Sequence, residues 1–383
     1  MSRGIYVSAT TPGSGKSLIA LGVAEALHAR TGSIGFFKPV VLADEPDEDP
    51  MVALMRSRFD LDPAVCRGGL SAREVRRLLA EGQREEIDAR CVEVFAEIAA
   101  RVDIVVVEGT DLTRQDSAVG FALNARLSYD LGCPMLAVVS GRERTPEEIA
   151  DAVDVARKEL YAARCSLLVM MVNRADPEQM DAIRATIRPG VSHRPVYVLP
   201  ELVEISRPTT GEVSGALSLR QIAGSADMER EVSGVKVAAM SVANFIGALE
   251  NGDLVIVPGD RADVMVGALA STFSPEFPVP AAMILTGGLA PDAHILPLLA
   301  QAPFPVFAYE GDTYHAARGV SEVRSEIWTG HRRKVASALG AWARHVDDDE
   351  LVERLNLPRP DTMTPLRFLH ELIGRARSQR TRI

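Results

Sequence analysis

Between the apolar run Ile5 to Ala9 and the helix-like segment Leu18 to His28 stands Ala9-Thr10-Thr11-Pro12-Gly13-Ser14-Gly15-Lys16-Ser17. Gly13 and Gly15 let successive backbone N–H groups turn toward one anion, and a helix opening at Lys16 presents its positive end there. Lys16 has the reach and charge for terminal phosphates, and the Ser17 hydroxyl is a Mg²⁺ ligand. The pattern is that of a Walker A loop, with Thr10 in place of the opening Gly. The expectation is therefore a nucleotide or other phosphate held by Thr10, Gly13, Ser14, Gly15, Lys16 and Ser17, with Mg²⁺ and ATP or another nucleotide as the cofactor set. The plainer account is a Gly-rich strand-to-helix turn that holds nothing. A strand before and a helix after favour the phosphate, although binding alone does not imply turnover.

Three more positions sit where apolar runs end, which is where a parallel α/β sheet places its ligand. Lys38, in Phe37-Lys38-Pro39-Val40, would point into the site, or would simply be a surface lysine before a proline turn. Glu108, after Ile104 to Val107, is placed like the acidic residue that reaches Mg²⁺ directly or through water, and equally could cap the Gly109 turn. Asn173-Arg174, after Met170-Met171-Val172, offers an amide and a cation to a base or phosphate, although Asn at a strand end is often a turn residue.

These groups need elements to carry them. Apolar runs recur at Ile5 to Ala9, Ile34 to Val40, Ile104 to Val107, Met135 to Val139, Leu167 to Val172 and Val196 to Leu199. They are continuous rather than alternating, so the strands are covered on both faces, as in a doubly wound parallel sheet with crossover helices. The Gly and Pro cluster Arg207-Pro208-Thr209-Thr210-Gly211 then marks a boundary, giving a first domain over 1–206. A smaller α/β domain over 207–346 follows. It has runs at Val235 to Met240, Leu254 to Val257, Ala282 to Leu285 and Val306 to Tyr309, helices around Ala262 to Ala270 and His294 to Ala300, and a helix near Ile327 to His345. The stretch 347–383 reads as a linker, from Asp347-Asp348-Asp349-Glu350 through Leu357-Pro358-Arg359-Pro360-Asp361, and then a last helix opened by Thr364-Pro365.

Composition narrows the function. With 383 residues and 47% hydrophobic content the chain can bury two cores. Its net charge of −10, from 42 Lys and Arg against 52 Asp and Glu, argues against a nucleic-acid or anionic-membrane surface and favours small molecules and protein partners. Cys66, Cys91, Cys133 and Cys165 stand far apart without metal-ligand spacing, which gives a disulfide framework or zinc site little support. The first residues show no apolar signal core, and no run approaches the length of about 18 residues needed to span a membrane, so a soluble cytoplasmic protein is expected. The seven histidines are scattered. His315, near Asp312 and Tyr314, has the most interesting surroundings, yet neither it nor Cys133 carries a nucleophile motif.

Taken in order, Ala-Thr-Thr-Pro-Gly-Ser-Gly-Lys-Ser, Phe-Lys-Pro-Val, Val-Glu-Gly-Thr and Val-Asn-Arg resemble the dethiobiotin synthetase group of P-loop enzymes. The resemblance implies phosphate and substrate contacts for Lys16 and Lys38, metal binding by Glu108 with Ser17, and a place near the nucleotide base for Asn173. One position departs from the group. Thr11 stands where its loop usually has Asp, which removes a metal or substrate contact. Further on, Val257-Pro258-Gly259-Asp260-Arg261-Ala262-Asp263 and Ile284-Leu285-Thr286-Gly287-Gly288 look like a DRTGG domain, which dethiobiotin synthetases lack. A P-loop domain joined to a DRTGG domain is similar to the N-terminal region of long-form phosphate acetyltransferases. That likeness extends to Glu310-Gly311-Asp312-Thr313-Tyr314 and Met363-Thr364-Pro365. It implies a regulatory and assembly role, self-association, and a C-terminal transferase domain beyond this chain that converts acetyl-CoA and phosphate to acetyl phosphate and CoA. Asp260, Arg261, Thr286, Gly287 and Gly288 should then meet at one end of one sheet as an effector or subunit contact. As residues alone they are equally a helix cap and a glycine turn. Two other accounts stay open: a stand-alone ATP-dependent ligase of the dethiobiotin synthetase group, and a non-catalytic scaffold with a relic loop.

Overall fold

The computed structural model describes residues 4–110, 117–187, 194–323, 325 and 331–355, which form two units, 1–202 with 327–383, and 203–326. The first unit is built on seven strands: β1 (Gly4–Ala9), β2 (Ile34–Val41), β3 (Cys66–Ser71), β4 (Ile104–Glu108), β5 (Met135–Ser140), β6 (Leu167–Ala175) and β7 (Val196–Pro200). Their order across the sheet is β3-β2-β4-β1-β5-β6-β7, and every pair is parallel. Every residue of β1 and β4 is buried. The continuous apolar runs are thus strands covered on both faces, as the doubly wound reading expects. The pairs Val7–Glu108, Ala9–Val138 and Ser140–Asn173 bring the carboxyl ends of β1, β4, β5 and β6 to one edge. The central helix Lys16–His28 starts at that edge and buries Leu18 through Ala24, Ala26 and Leu27.

The second unit holds β8 (Arg220–Gly224), β9 (Gly234–Val237), β10 (Asp253–Pro258), β11 (Ala282–Thr286) and β12 (Pro305–Ala308), in the order β8-β12-β11-β10-β9. All pairs are parallel except β8 with β12. Alternate residues of β10 feed different cores. Val255 and Val257 pack with Phe245, Met265 and Phe304, whereas Leu254 and Ile256 pack with Val213, Phe307 and Val320. This is why the run is unbroken in apolarity.

The structure departs from the sequence reading in four places. Strands β3 and β8 carry no apolar run, because each lies at a sheet edge and is only partly buried. The helix expected over His294 to Ala300 is the single turn Leu296–Leu299, with Pro297 in its first turn. The helix Arg332–His345 belongs to the first unit, not to the DRTGG domain ending at 346. Its Trp342, 2% exposed, lies on Gly22 of the helix Lys16–His28 so closely that a Cβ there would come within 2.2 Å of the indole. The acidic stretch taken as linker is in its first part a helix, Asp348–Arg354, capped by Asp347 accepting from the Glu350 N–H at 3.0 Å. Negative charge at a helix N-terminus is favourable, so an acidic run there starts a helix as readily as it solvates a linker. This helix is tied to the first unit by Trp342 Nε1 donating to Asp348 at 2.6 Å, by Tyr197 donating to Glu350 at 2.5 Å, and by Arg30 against Asp349 at 2.7 Å. The expected Pro-bearing linker at 357–361 and the helix from Thr364 lie outside the described residues.

Candidate functional site

The loop after β1 turns through Gly13 and Gly15, at φ 74° and 77°, in the left-handed region that glycine adopts without strain. Gly15 has a second reason to lack a side chain, since a Cβ would sit 2.3 Å from Asn173 Nδ2. Thr10 is tied to β5 by its N–H donating to Val138 O at 3.0 Å. Ser14, 1% exposed, donates to Thr11 O at 2.5 Å, and Thr11 Oγ1 lies 3.0 Å from Ser14 Oγ. The side chains of Thr10, Thr11 and Ser14 therefore shape the loop.

Beneath the start of the helix, Ser17 Oγ donates to Glu108 Oε1 at 2.8 Å, linking the first turn of the helix Lys16–His28 to the end of β4. Glu108 is 1% exposed, and its other oxygen, Oε2, is buried with no hydrogen-bond partner. A buried carboxylate oxygen without a partner is unfavourable and calls for a cation or donor. The residues therefore fit Mg²⁺, which is commonly held by a hydroxyl or carboxylate together with phosphate oxygens and water. Among the described residues no group of three or more His, Cys, Asp or Glu converges on a metal, so the remaining ligands would come from phosphate and water. When bound, the ion would neutralise phosphate charge.

Lys38 reaches a different partner from the one expected. Its Nζ lies 2.9 and 3.1 Å from the two oxygens of Asp49, which also caps the helix Pro50–Phe59 by accepting from the Met51 N–H at 2.9 Å. Asn173 turns its amide to the loop itself, donating to Ser14 O at 2.8 Å. Arg174, after it, donates to Gly13 O at 2.6 Å and holds Glu201 through two bonds of 2.7 and 3.0 Å. A further network fixes the turn after Glu108. The Tyr6 hydroxyl and the Thr110 N–H both donate to Asn124 Oδ1, at 2.9 and 3.1 Å, and Thr110 Oγ1 donates to Val40 O. Burial pushes the Tyr6 hydroxyl well up from its ordinary pKa, so it remains a proton donor.

Asp49, Asn124 and Glu201 were missed in the sequence. Glu201 follows β7 as Glu108 ends β4, so its strand-end place was a usable signal, whereas nothing local marks Asn124 or Asp49. The cysteines are free thiols, and burial lifts Cys66 and Cys91 to about 12 and also raises Cys133. No reactive thiolate is built there.

In the second unit Pro258 pairs with Thr286, and the Gly259 N–H donates to Thr286 O at 3.0 Å. Asp260-Arg261 and Thr286-Gly287-Gly288 thus meet at one sheet edge, as expected. Arg261 holds Asp263 through bonds of 2.8 and 3.0 Å and makes no side-chain cap for the helix Ala262–Ser271. Thr286 Oγ1 sits 2.8 Å from Thr313 Oγ1, and the Gly287 N–H donates to Gly311 O at 2.8 Å. His315 contacts both oxygens of Asp312 at 2.9 Å, and its bonds hold that carboxyl below the usual carboxylate range.

Residues 3–209 match a family model described as an AAA domain. The chain belongs to that family. Residues 212–323 match the DRTGG domain, so the two domains follow in the expected order. A phosphate acetyltransferase of Nitratidesulfovibrio vulgaris is 30% identical, with all of this chain and 56% of its own length aligned. Those of Pseudomonas putida and Synechocystis are 27% and 24% identical, over 99% and 98% of this chain and 55% of theirs. The resemblance to the N-terminal region of phosphate acetyltransferases therefore holds, and the chain spans about half the length of the curated relatives it matches. A solved structure of the CBS and DRTGG domains of a Clostridium perfringens pyrophosphatase, complexed with the activator diadenosine tetraphosphate, aligns at 20% identity. It covers 50% of this chain and 75% of its own, with a TM-score of only 0.27. Among the described residues no helix is long and apolar enough to cross a membrane.

Proposed function

We propose that this chain is the regulatory and assembly portion of a cytoplasmic phosphate acetyltransferase, the enzyme that interconverts acetyl-CoA and phosphate with acetyl phosphate and CoA. The transferase chemistry is done by a domain outside these 383 residues. Its P-loop unit binds a phosphorylated ligand with Mg²⁺, ATP or another nucleotide being the first choice, and its DRTGG unit serves effector sensing or self-association. The observation that carries the phosphate reading is the bond from Ser17 to the buried Glu108 under the Gly13–Lys16 turn, with Glu108 Oε2 unpaired. Alignment of nearly the whole chain with about 55% of the length of phosphate acetyltransferases supports its reading as a portion of such an enzyme.

The test is an assay of the purified chain for phosphate-dependent CoA release, which should be absent. Turnover at ordinary enzyme rates, about 1 to 10³ per second, would sink the proposal. The ligase reading draws on the retained Lys16, Ser17 and Glu108. Against it stand Thr11, turned to Ser14, and Lys38, held by Asp49. ATP-dependent release of phosphate with a carboxylated product would reinstate it.

A further inference from the structure

We propose that Asn173, Arg174 and Glu201 form a clamp that pre-sets the backbone of the phosphate loop, with Arg174 acting as a positioning residue that does not touch the ligand. The inference rests on reading the loop as a phosphate site. Three successive carbonyls are drawn to the β6 side: Gly13 O by Arg174 Nη1 at 2.6 Å, Ser14 O by Asn173 Nδ2 at 2.8 Å, and Gly15 O by the same nitrogen at 3.4 Å. In a trans peptide the C=O and the N–H point in opposite directions. Drawing those carbonyls one way therefore aims the N–H groups of Ser14, Gly15 and Lys16 the other way, as a concave set of donors suited to an anion.

The strand is distorted where the clamp attaches. Arg174 has φ 63°, which a residue with a side chain rarely adopts, and the β6–β7 register shifts between Val172 and Ala175. Such strain persists only where surroundings hold it, and it collects at functional positions. Here Glu201 provides the hold. Its carboxylate grips the guanidinium through two bonds, both side chains are at most one-fifth exposed, and its own N–H is fixed to Ala175 O at 2.7 Å. Because Glu201 neutralises Arg174, the pair supplies geometry to the loop rather than net positive field. That separates a clamp from a direct phosphate ligand.

Calorimetric titration of MgATP, and separately of Mg-tripolyphosphate, into the 383-residue chain tests this, with thermal unfolding followed beside it. Arg174→Ala and Glu201→Ala should each weaken both probes by roughly tenfold, and the double variant should be little worse than either single. Arg174→Lys, which keeps one donor for Gly13 O, should fall between, and it serves if alanine prevents folding; unchanged affinity in it overturns the clamp. Tighter binding in Glu201→Ala with weaker binding in Arg174→Ala would make Arg174 a direct ligand. Wild-type affinity in both alanine variants, with loss in Lys16→Ala, would leave a phosphate site that needs no clamp. Binding of neither probe by the wild type would remove the phosphate reading and the clamp together.

Discussion

The carboxyl edges of the two sheets are built alike and finished differently. Each gathers glycine turns, hydroxyls and charged residues where parallel strands end. At the first edge a buried carboxylate oxygen of Glu108 lacks a partner, and three loop carbonyls are drawn aside so that their amides face outward. At the second, the polar groups answer one another. Thr286 meets Thr313, Gly287 donates to Gly311, Gly288 donates to Tyr309, and Arg261 is held by Asp263. Arrangement at a sheet edge is therefore not enough to make a phosphate site. What separates the two is polar capacity left over after the fold has satisfied itself.

The comparison breaks most directly at Lys16. Lys16→Ala should weaken MgATP by about ten- to a hundredfold, the range for losing a hydrogen bond to a charged group, while leaving the second unit's thermal transition unmoved. Equal calorimetric affinity in mutant and wild type would put the first edge on the same footing as the second. The converse lesion is Gly259→Ala, where a Cβ would sit 2.0 Å from Leu289 O. It should destabilise the second unit by about 1 to 3 kcal/mol in denaturant unfolding and leave MgATP affinity alone. A fall in affinity instead would show that the edges are coupled.

Glu108→Gln sharpens the claim about the unpaired oxygen. It should reduce the tightening that Mg²⁺ gives to ATP binding, by roughly fivefold, with little change for ATP in chelator. An identical Mg²⁺ response would mean that Oε2 has no part in holding the ion. The smallest effect is expected from Arg261→Ala. Its pair with Asp263 is at the surface, so binding at the loop and thermal stability should stay as they were. In a protein extended to the length of the relatives, light scattering and effector titration should nevertheless register the change in oligomer mass or effector response. A collapsed basal acetyl-transfer rate with normal assembly would mean that this edge does chemistry.

Much of this was legible in the chain because its signals are local. Continuous apolar runs marked ten of the strands: β1, β2, β4 to β6 and β10 to β12, where burial leaves a composition signature, and the edge strands β7 and β9, which are apolar although only partly buried. β3 and β8 escaped because an edge strand need not be apolar. Lys16, Ser17 and Glu108 were readable from type and strand-end position. Lys38 was found, but its partner Asp49 was not, because that bond depends on where the helix Pro50–Phe59 lands.

The sequence by itself determined the parallel first sheet, the glycine loop after β1 and the order of the two domains, all of which follow from residue types within a few positions of one another. Only the tertiary structure decided that Trp342 and the acidic run after it return to the first unit, and that Asn173, Arg174 and Glu201 hold the loop. Those outcomes rest on shape and bond direction between residues far apart in sequence. Trp342 fits because Gly22 leaves its helix bare, and Arg174 reaches Gly13 because a bulged strand turns it there. Neither property is carried by the residue type alone.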